Sequence, residues 1–263
     1  MTVSLIGVGA MGGALLSGWL ASGKRPDDVT VVVRRDEQAR ALHLEHGVRT
    51  VSLDEAANAE VIVVAVKPGQ FESLLGDLRP AEGSVVVSVA AGVTVEQLEA
   101  WLPEGTSVAR AMPNTGALAG ESMTGIVRGS RTTDEQLDAV VRLFEAVGRT
   151  LVVSEPQLDA VIAVSGSGIA YLYYVADAMI EAGVHQGLTR AQSRELVVQT
   201  FAGASAVLAT SGRPPAELRA DVTSPAGTTA AALRKLDDHG VRAAFLDAVE
   251  ACRLRAGEMS RRS

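Results

Sequence analysis

The chain has 263 residues, enough for one large domain or two modest ones, each with a proper core. Hydrophobic residues make up 47% and charged residues 21%, a balance that excludes a disordered chain. With 31 acidic against 24 basic side chains the net charge is −7, which argues against a nucleic-acid partner.

The opening "MTVSLIGVGA" lacks a positive n-region and runs into glycines, so it reads as a strand and not as a signal peptide. No apolar run approaches the ~18 residues that span a bilayer. A cytoplasmic protein without a membrane partner is expected. The single cysteine, Cys252, cannot form an internal disulfide, and His43, His46, His185 and His239 are scattered, so no metal site is expected.

Up to about residue 154 short β-branched runs recur: "TVSLIGV", "VTVVVR", "VIVVAV", "SVVVSV", "TSVARAM", "TGIVRG" and "RTLVVS". Several are apolar at consecutive positions, as strands covered on both faces should be. Helix-length segments lie between the early ones, among them "TVEQLEAWL", where Thr94 and Gln97 have capping-box spacing. The alternation predicts a Rossmann-type, doubly wound parallel sheet over residues 1–154.

"GVGAMG" follows the first strand and sets Gly7, Gly9 and Gly12 in G-x-G-x-x-G spacing, with Ala10 and Met11 at the start of a helix. The first glycine allows the tight turn, the second a close approach to a pyrophosphate, the third close packing of helix on strand. A glycine-rich turn used only for packing is the competing reading. At the end of the second strand, where an acidic residue often binds the ribose of NAD, stand Arg34 and Arg35. Their guanidinium groups suit a 2′-phosphate, so NADPH is the expected cofactor; Asp36 keeps NADH open. Two solvated surface arginines are the alternative. Two later strand ends face the same crevice. "VAVKP" brings Ala65, Val66, Lys67 and Pro68, and "VAAGVT" brings Ala90, Ala91 and Gly92. "RAMPNTGALAGES" then carries Met112, Pro113 and Asn114 toward the nicotinamide end.

From residue 155 the strand pattern stops, and residues 155–263 are predicted to form an all-α C-terminal domain. "PQLDAVIAVSGSGIAYLYYVADAMIEAG" is apolar nearly all round, as in a helix buried in a core or between subunits. "TRAQSRELVVQTFAGASAVLATSG" opens with Thr189 and Gln192 at capping-box spacing and closes at Gly212. The tail places Phe245, Val249, Cys252, Ala256 and Met259 on one stripe. So much apolar helix exceeds the need of one small bundle, and a homo-oligomer is expected. "DVTSPAGTT" interrupts these helices with a turn at Pro225–Gly227 that leads into a helix near Thr228. It is either a Ser/Thr cap with no ligand or a set of free amides able to hold an anion.

Together these motifs resemble the pyrroline-5-carboxylate reductase family over essentially the whole chain. The carriers are "IGVGAMG", "VAVKP", "AAG", "MPNT", "SGSGIAY" and "VTSPAGTT". The resemblance implies reduction of 1-pyrroline-5-carboxylate, a small imino acid, to L-proline. It implies NADPH or NADH as donor, and a dimer or a decamer of dimers built through the helical domain. It also implies that the amides of Gly227, Thr228 and Thr229 bind the substrate carboxylate. The Thr229 hydroxyl bonds the ring nitrogen as the catalytic contact, and Ser224 is a further contact. The family usually has Pro at positions 169 and 116 and Gly at 226, where this chain has Ile169, Gly116 and Ala226. Ala226 matters most if the backbone there needs positive φ, which disfavours Ala. Ser165 and Ser167 read as packing positions. A β-hydroxyacid dehydrogenase would need a lysine in the connecting helix, and "SGSGIAYLYYVADAMIEAG" has none. A non-catalytic NADPH sensor is the remaining rival.

Overall fold

The computed structural model describes residues 1–262. It divides into two compact units, Met1–Ile169 with the stretch from Glu250 onward, and Ala170–Val249. Secondary structure changes character at residue 154, and the compact units divide later.

The first unit carries an eight-stranded sheet. In chain order its elements are β1 (Val3–Ile6), α1 (Ala10–Ala21), β2 (Val29–Val32), α2 (Asp36–His46), β3 (Arg49–Thr50) and α3 (Leu53–Ala56). These are followed by β4 (Val61–Val64), α4 (Phe71–Asp77), β5 (Val85–Ser88), α5 (Val95–Trp101), β6 (Ser107–Met112), β7 (Ser122–Arg128), α6 (Asp134–Glu145) and β8 (Gly148–Val152). The strand order is β3-β2-β1-β4-β5-β6-β7-β8. The chain reverses its direction of growth between β1 and β4, which makes their carboxyl ends the topological switch point.

Pairing is parallel except between β6 and β7. This corrects the wholly parallel expectation. Only residues 113–121 separate the two strands, too few for the crossover of a dozen or more that parallel neighbours require. The two-residue β3 was not predicted either.

Every residue of β1, β4 and β5 is buried, because apolar clusters cover both faces of the sheet. On one face Trp19 of α1 is wholly enclosed. Its indole N–H donates to the Leu143 carbonyl at 3.0 Å, and its ring meets Phe144 edge-on at 6.4 Å between centroids. The predicted capping box at Thr94 and Gln97 forms at the start of α5, and a second, Thr133 with Gln136, starts α6.

From Glu155 the chain is helical: α7 (Glu155–Val161), a π-turn at Ile162–Gly166, and α8 (Gly168–His185). Arg110 on β6, with a side chain 3% exposed, forms an ion pair with Glu155, and the same Glu155 oxygen accepts from the Val95 amide at 3.4 Å. The start of the helical segment is thereby tied to β6 and α5. The expectation that no segment approaches spanning length is corrected here. Residues 155–185 are long and apolar enough by length and composition alone, with 22% of the apolar window buried. Alanine, glycine and scattered bulky residues together reach the threshold without any long unbroken run of bulky residues.

The second unit holds most of α8, then α9 (Arg190–Ser211), α10 (Pro215–Asp221) and α11 (Thr228–Asp238), and the first part of α12 (Val241–Arg262). Thr189 and Gln192 form the predicted capping box of α9, and Gly212 ends it in the left-handed region at φ 64°. α8 and α9 touch closely: Ser193 Oγ donates to the Ile180 carbonyl at 2.8 Å, and a Cβ on Gly183 would lie 2.1 Å from that oxygen. Large apolar side chains nonetheless stand in the open, among them Tyr174 at 80% exposure and Leu246 at 74%. Of the predicted α12 stripe, Ala256 is buried in the first unit and Phe245 is exposed.

Candidate active site

The glycine loop is shaped by contacts that leave no room for side chains at two of its three glycines. Gly7 has φ +91°, and its N–H donates to the Val32 carbonyl at 3.0 Å. A Cβ there would meet Val66 Cγ1 at 2.8 Å, and one on Gly12 would meet the Gly7 carbonyl oxygen at 2.3 Å. At Gly9 a Cβ would meet no protein atom within 4 Å, so the space above Gly9 is open. Gly9 is the N-cap of α1 and supplies no side-chain capping bond, so the first amides of α1 face that space uncapped.

Around this loop lies a cleft of about 560 Å³. It is lined by Gly7, Val8 and Gly9, by Arg34 and Arg35 after β2, and by Ala65, Val66 and Lys67 after β4. Arg34, Arg35 and Lys67 are cations, and no carboxylate appears among the described lining residues. The N-terminus of α1 and three cations on one cleft suit a ligand carrying several phosphates. The size and lining of the cleft fit a dinucleotide.

Sequence reading missed two glutamines that complete the wall. Gln38 Nε2 donates to the Val8 carbonyl at 2.6 Å, pinning the glycine loop to α2. Gln70, with its amide turned to match its neighbours, accepts from Arg34 Nη1 and Nη2 at 2.9 Å each. Gln38 lies in the first turn of α2 and Gln70 ends the short 3₁₀ turn after β4, and only the folded chain brings them to the loop. Ala10, Met11 and Gly12 belong to the first turn of α1, and Pro68 begins a short 3₁₀ turn beside Lys67.

Two predicted cofactor contacts have other neighbours. Gly92, at φ +86°, is buried against α12, where a Cβ would lie 3.2 Å from Met259 Cβ. Ala90 and Ala91 remain half-buried beside it. Asn114 is 7% exposed, and its side chain holds protein: Oδ1 accepts from the Gly116 amide, and Nδ2 donates to Ser165. Its side-chain polar atoms are bonded within the chain, which fixes the shape of the loop leaving β6.

In the second unit, residues 224–227 form a turn closed by the Gly227 amide donating to the Ser224 carbonyl at 3.0 Å. Ala226 sits at φ 56° and is the one non-glycine residue with positive φ among those described. Pro at the second position and positive φ at the third give a type II turn, which ordinarily takes Gly there. The sequence concern over Ala226 is thus physically founded. Gly227 is the N-cap of α11 with no side-chain capping bond, and the first return bond runs from the Ala231 amide to the Gly227 carbonyl at 3.1 Å. The amides of Thr228 and Thr229 therefore open toward whatever lies before the helix. Ahead of the turn, Arg213 donates to Asp221 at 2.6 Å and holds its carboxyl below the usual carboxylate range.

A doubly wound sheet whose glycine loop and arginines share one cleft, followed by a long helical region, defines a nicotinamide-dinucleotide oxidoreductase. Comparison with known proteins narrows the class. Residues 2–92 match the family model described as NADP oxidoreductase coenzyme F420-dependent, and residues 155–259 match pyrroline-5-carboxylate reductase dimerisation. The pyrroline-5-carboxylate reductase of Mycobacterium leprae is 43% identical over 98% of this chain and 96% of its own. That of Escherichia coli is 36% identical over 98% of each. Among solved structures, a pyrroline-5-carboxylate reductase from Coxiella burnetii superposes with a TM-score of 0.92 at 33% identity over 98% of both chains. The Plasmodium falciparum pyrroline carboxylate reductase, solved with NADP bound, gives 0.88 at 26% identity over 99% of this chain and 98% of its own. The chain belongs to the pyrroline-5-carboxylate reductase family. It is an oxidoreductase that works with a nicotinamide cofactor, and it is a homo-oligomer.

Proposed function

We propose that the chain reduces 1-pyrroline-5-carboxylate to L-proline in the cytoplasm, with NADPH as the preferred donor and NADH as the alternative. The observation that carries this reading is the pairing of two uncapped helix starts. One opens on a cationic, dinucleotide-sized cleft, the other on an exposed turn of the helical unit. Gly7, Gly9, Ala10, Met11 and Gly12 would hold the pyrophosphate. Arg34 and Arg35 would take a 2′-phosphate, with Gln70 fixing the Arg34 fork. Ala65, Val66, Lys67 and Pro68 would border the dinucleotide, and Ala90, Ala91 and Gly92 would follow it at the end of β5. When bound, the nicotinamide supplies the hydride.

Three tasks fall to the second turn. The amides of Thr228 and Thr229 anchor the substrate carboxylate, as helix starts do for anions, while the expected Gly227 amide is engaged in closing the turn onto Ser224. Ser224 adds a hydroxyl at the rim. The Thr229 hydroxyl hydrogen-bonds the ring nitrogen, whose basicity rises as the C=N bond is reduced. Residues 155–263 form the domain through which protomers assemble, as a dimer or as a decamer of dimers.

Turnover is read directly as loss of nicotinamide absorbance with appearance of proline. No turnover with either cofactor sinks the proposal. Thr229→Ala is expected to lower kcat about a hundredfold while leaving NADPH binding intact; collapse of cofactor affinity instead would misplace the turn. Replacing Arg34 and Arg35 together by Ala should raise KM for NADPH at least about tenfold and leave KM for NADH nearly unchanged. An equal rise for both cofactors would return these arginines to the solvated surface.

A further inference from the structure

With Arg34 and Arg35 at the end of β2 taking the adenosine end of a dinucleotide, its reacting end would fall toward β4, β5 and β6 across the switch point. The loop leaving β6 carries Met112, Pro113 and Asn114. Asn114 is buried and fixes this loop from both sides. Its amide N–H donates to Ser122 Oγ at 3.1 Å, and its Oδ1 accepts from the Gly116 amide at 3.0 Å. Its Nδ2 donates to the Ser165 carbonyl at 3.3 Å and to Ser165 Oγ at 3.1 Å, while the Ser165 hydroxyl donates to the Met123 carbonyl at 3.2 Å.

Ser165 lies inside the π-turn, where the Ser167 amide donates to the Ile162 carbonyl five residues back at 2.8 Å. Single wide turns of this kind are rare within α-helices and concentrate at functional sites. Closing the turn to α-helical spacing would change the path of residues 162–166 and with it the placement of Ser165 against Asn114. Gly166, next in the turn, packs beside the Met112 side chain: a Cβ there would sit 3.6 Å from Met112 Cε. The π-turn and the β6 loop thus fix each other through two side chains.

We propose that Ser165, acting through Asn114, is a positioning residue for the reduction: it sets the height of the 112–116 loop against the reacting end of the cofactor. This rests on the reading of the first unit as the cofactor domain. A serine that only packed helices would affect stability alone. The positioning role predicts a loss confined to the chemical step.

The test uses the full oligomeric enzyme with NADPH and 1-pyrroline-5-carboxylate, and adenosine 2′,5′-bisphosphate as a probe of the adenosine end alone. Ser165→Ala is expected to lower kcat about tenfold, as small misplacements of reacting groups do, with affinity for the probe unchanged. Ser165→Thr, which keeps the hydroxyl, is expected to restore most of the rate. The double variant Ser165→Ala with Asn114→Ala should be no slower than the slower single variant, since the two residues act as one unit. An unchanged kcat in Ser165→Ala overturns the proposal. So does a matching loss of probe affinity, a threonine variant as slow as alanine, or additive losses in the double variant. Should Ser165→Ala fail to fold, the threonine variant and Asn114→Ala carry the same comparison. The functional reading is judged separately, by turnover of the unaltered enzyme, and the role of Ser165 by the ratio of variant to parent.

Discussion

The loop before α1 and the loop before α11 perform the same local task, each ending on a glycine N-cap, Gly9 and Gly227, without a side-chain capping bond. They are held in shape by different means. Around Gly7 and Gly12 the conformation is imposed by close packing against the ends of β2 and β4 and by the loop on itself, and an added carbon would lie under 3 Å from its nearest neighbour. Residues 224–227 lie largely exposed, and their shape comes from the chain itself: Pro225, the bond from Gly227 to Ser224, and a strained Ala226. The capped helices α5, α6 and α9 satisfy their own first amides with a Thr and Gln pair. The starts of α1 and α11 lack that pair. The cap site is worth about 1 kcal/mol, so the omission costs little stability and leaves the donors available.

This contrast can be broken by adding one carbon to the first loop and removing one from the second. Gly12→Ala should do the most damage, because its Cβ meets the Gly7 carbonyl oxygen at 2.3 Å, against backbone that cannot yield. NADPH affinity should fall at least about a hundredfold, with ~2 kcal/mol lost from folding. Gly9→Ala should leave the melting temperature unchanged, since nothing of the protein lies within 4 Å, and should still weaken NADPH about tenfold. If both variants melted alike and bound alike, the distinction between packing glycine and ligand glycine would fail.

On the other loop the carbon is removed. Ala226→Gly should raise folding stability by about 0.5–1 kcal/mol, because relief of the left-handed strain outweighs the added chain entropy. Denaturant titration checks this, and a destabilised variant would show that the methyl group is packed. The smallest effect is expected at Asp221→Asn. Asp221 has a carboxyl lowered by Arg213, so its contribution is present above the ordinary carboxylate range and disappears as pH falls through the lowered value. Both groups are solvated, so parent and variant should differ slightly near neutral pH and converge in acid.

Local chemistry was legible in the sequence wherever one stretch held all the partners. The glycine loop, the capping boxes at Thr94 and Thr189, the helix end at Gly212 and the turn at Pro225–Gly227 all form as their residues predict. Features that depend on a distant partner were not legible. The reversal of β7 follows from a short connection that resembles any loop. Gln38 and Gln70 join the cleft only after α2 and the turn beyond β4 fold against it. The π-turn has no residue signature in "VSGSG", because its extra residue is stabilised by Asn114, 51 positions earlier. For the same reason the bonds that Asn114 makes to Ser165 were not legible from its motif.

The apolar side chains left in the open on α8 and α12 have a thermodynamic consequence beyond the site. Tyr173, Tyr174 and Leu246 lie on a chain whose family model describes dimerisation over residues 155–259. If association covers them, the folded state gains free energy that depends on mass action, and the midpoint of unfolding rises with protein concentration. Dilution then acts on this enzyme as a mild denaturant.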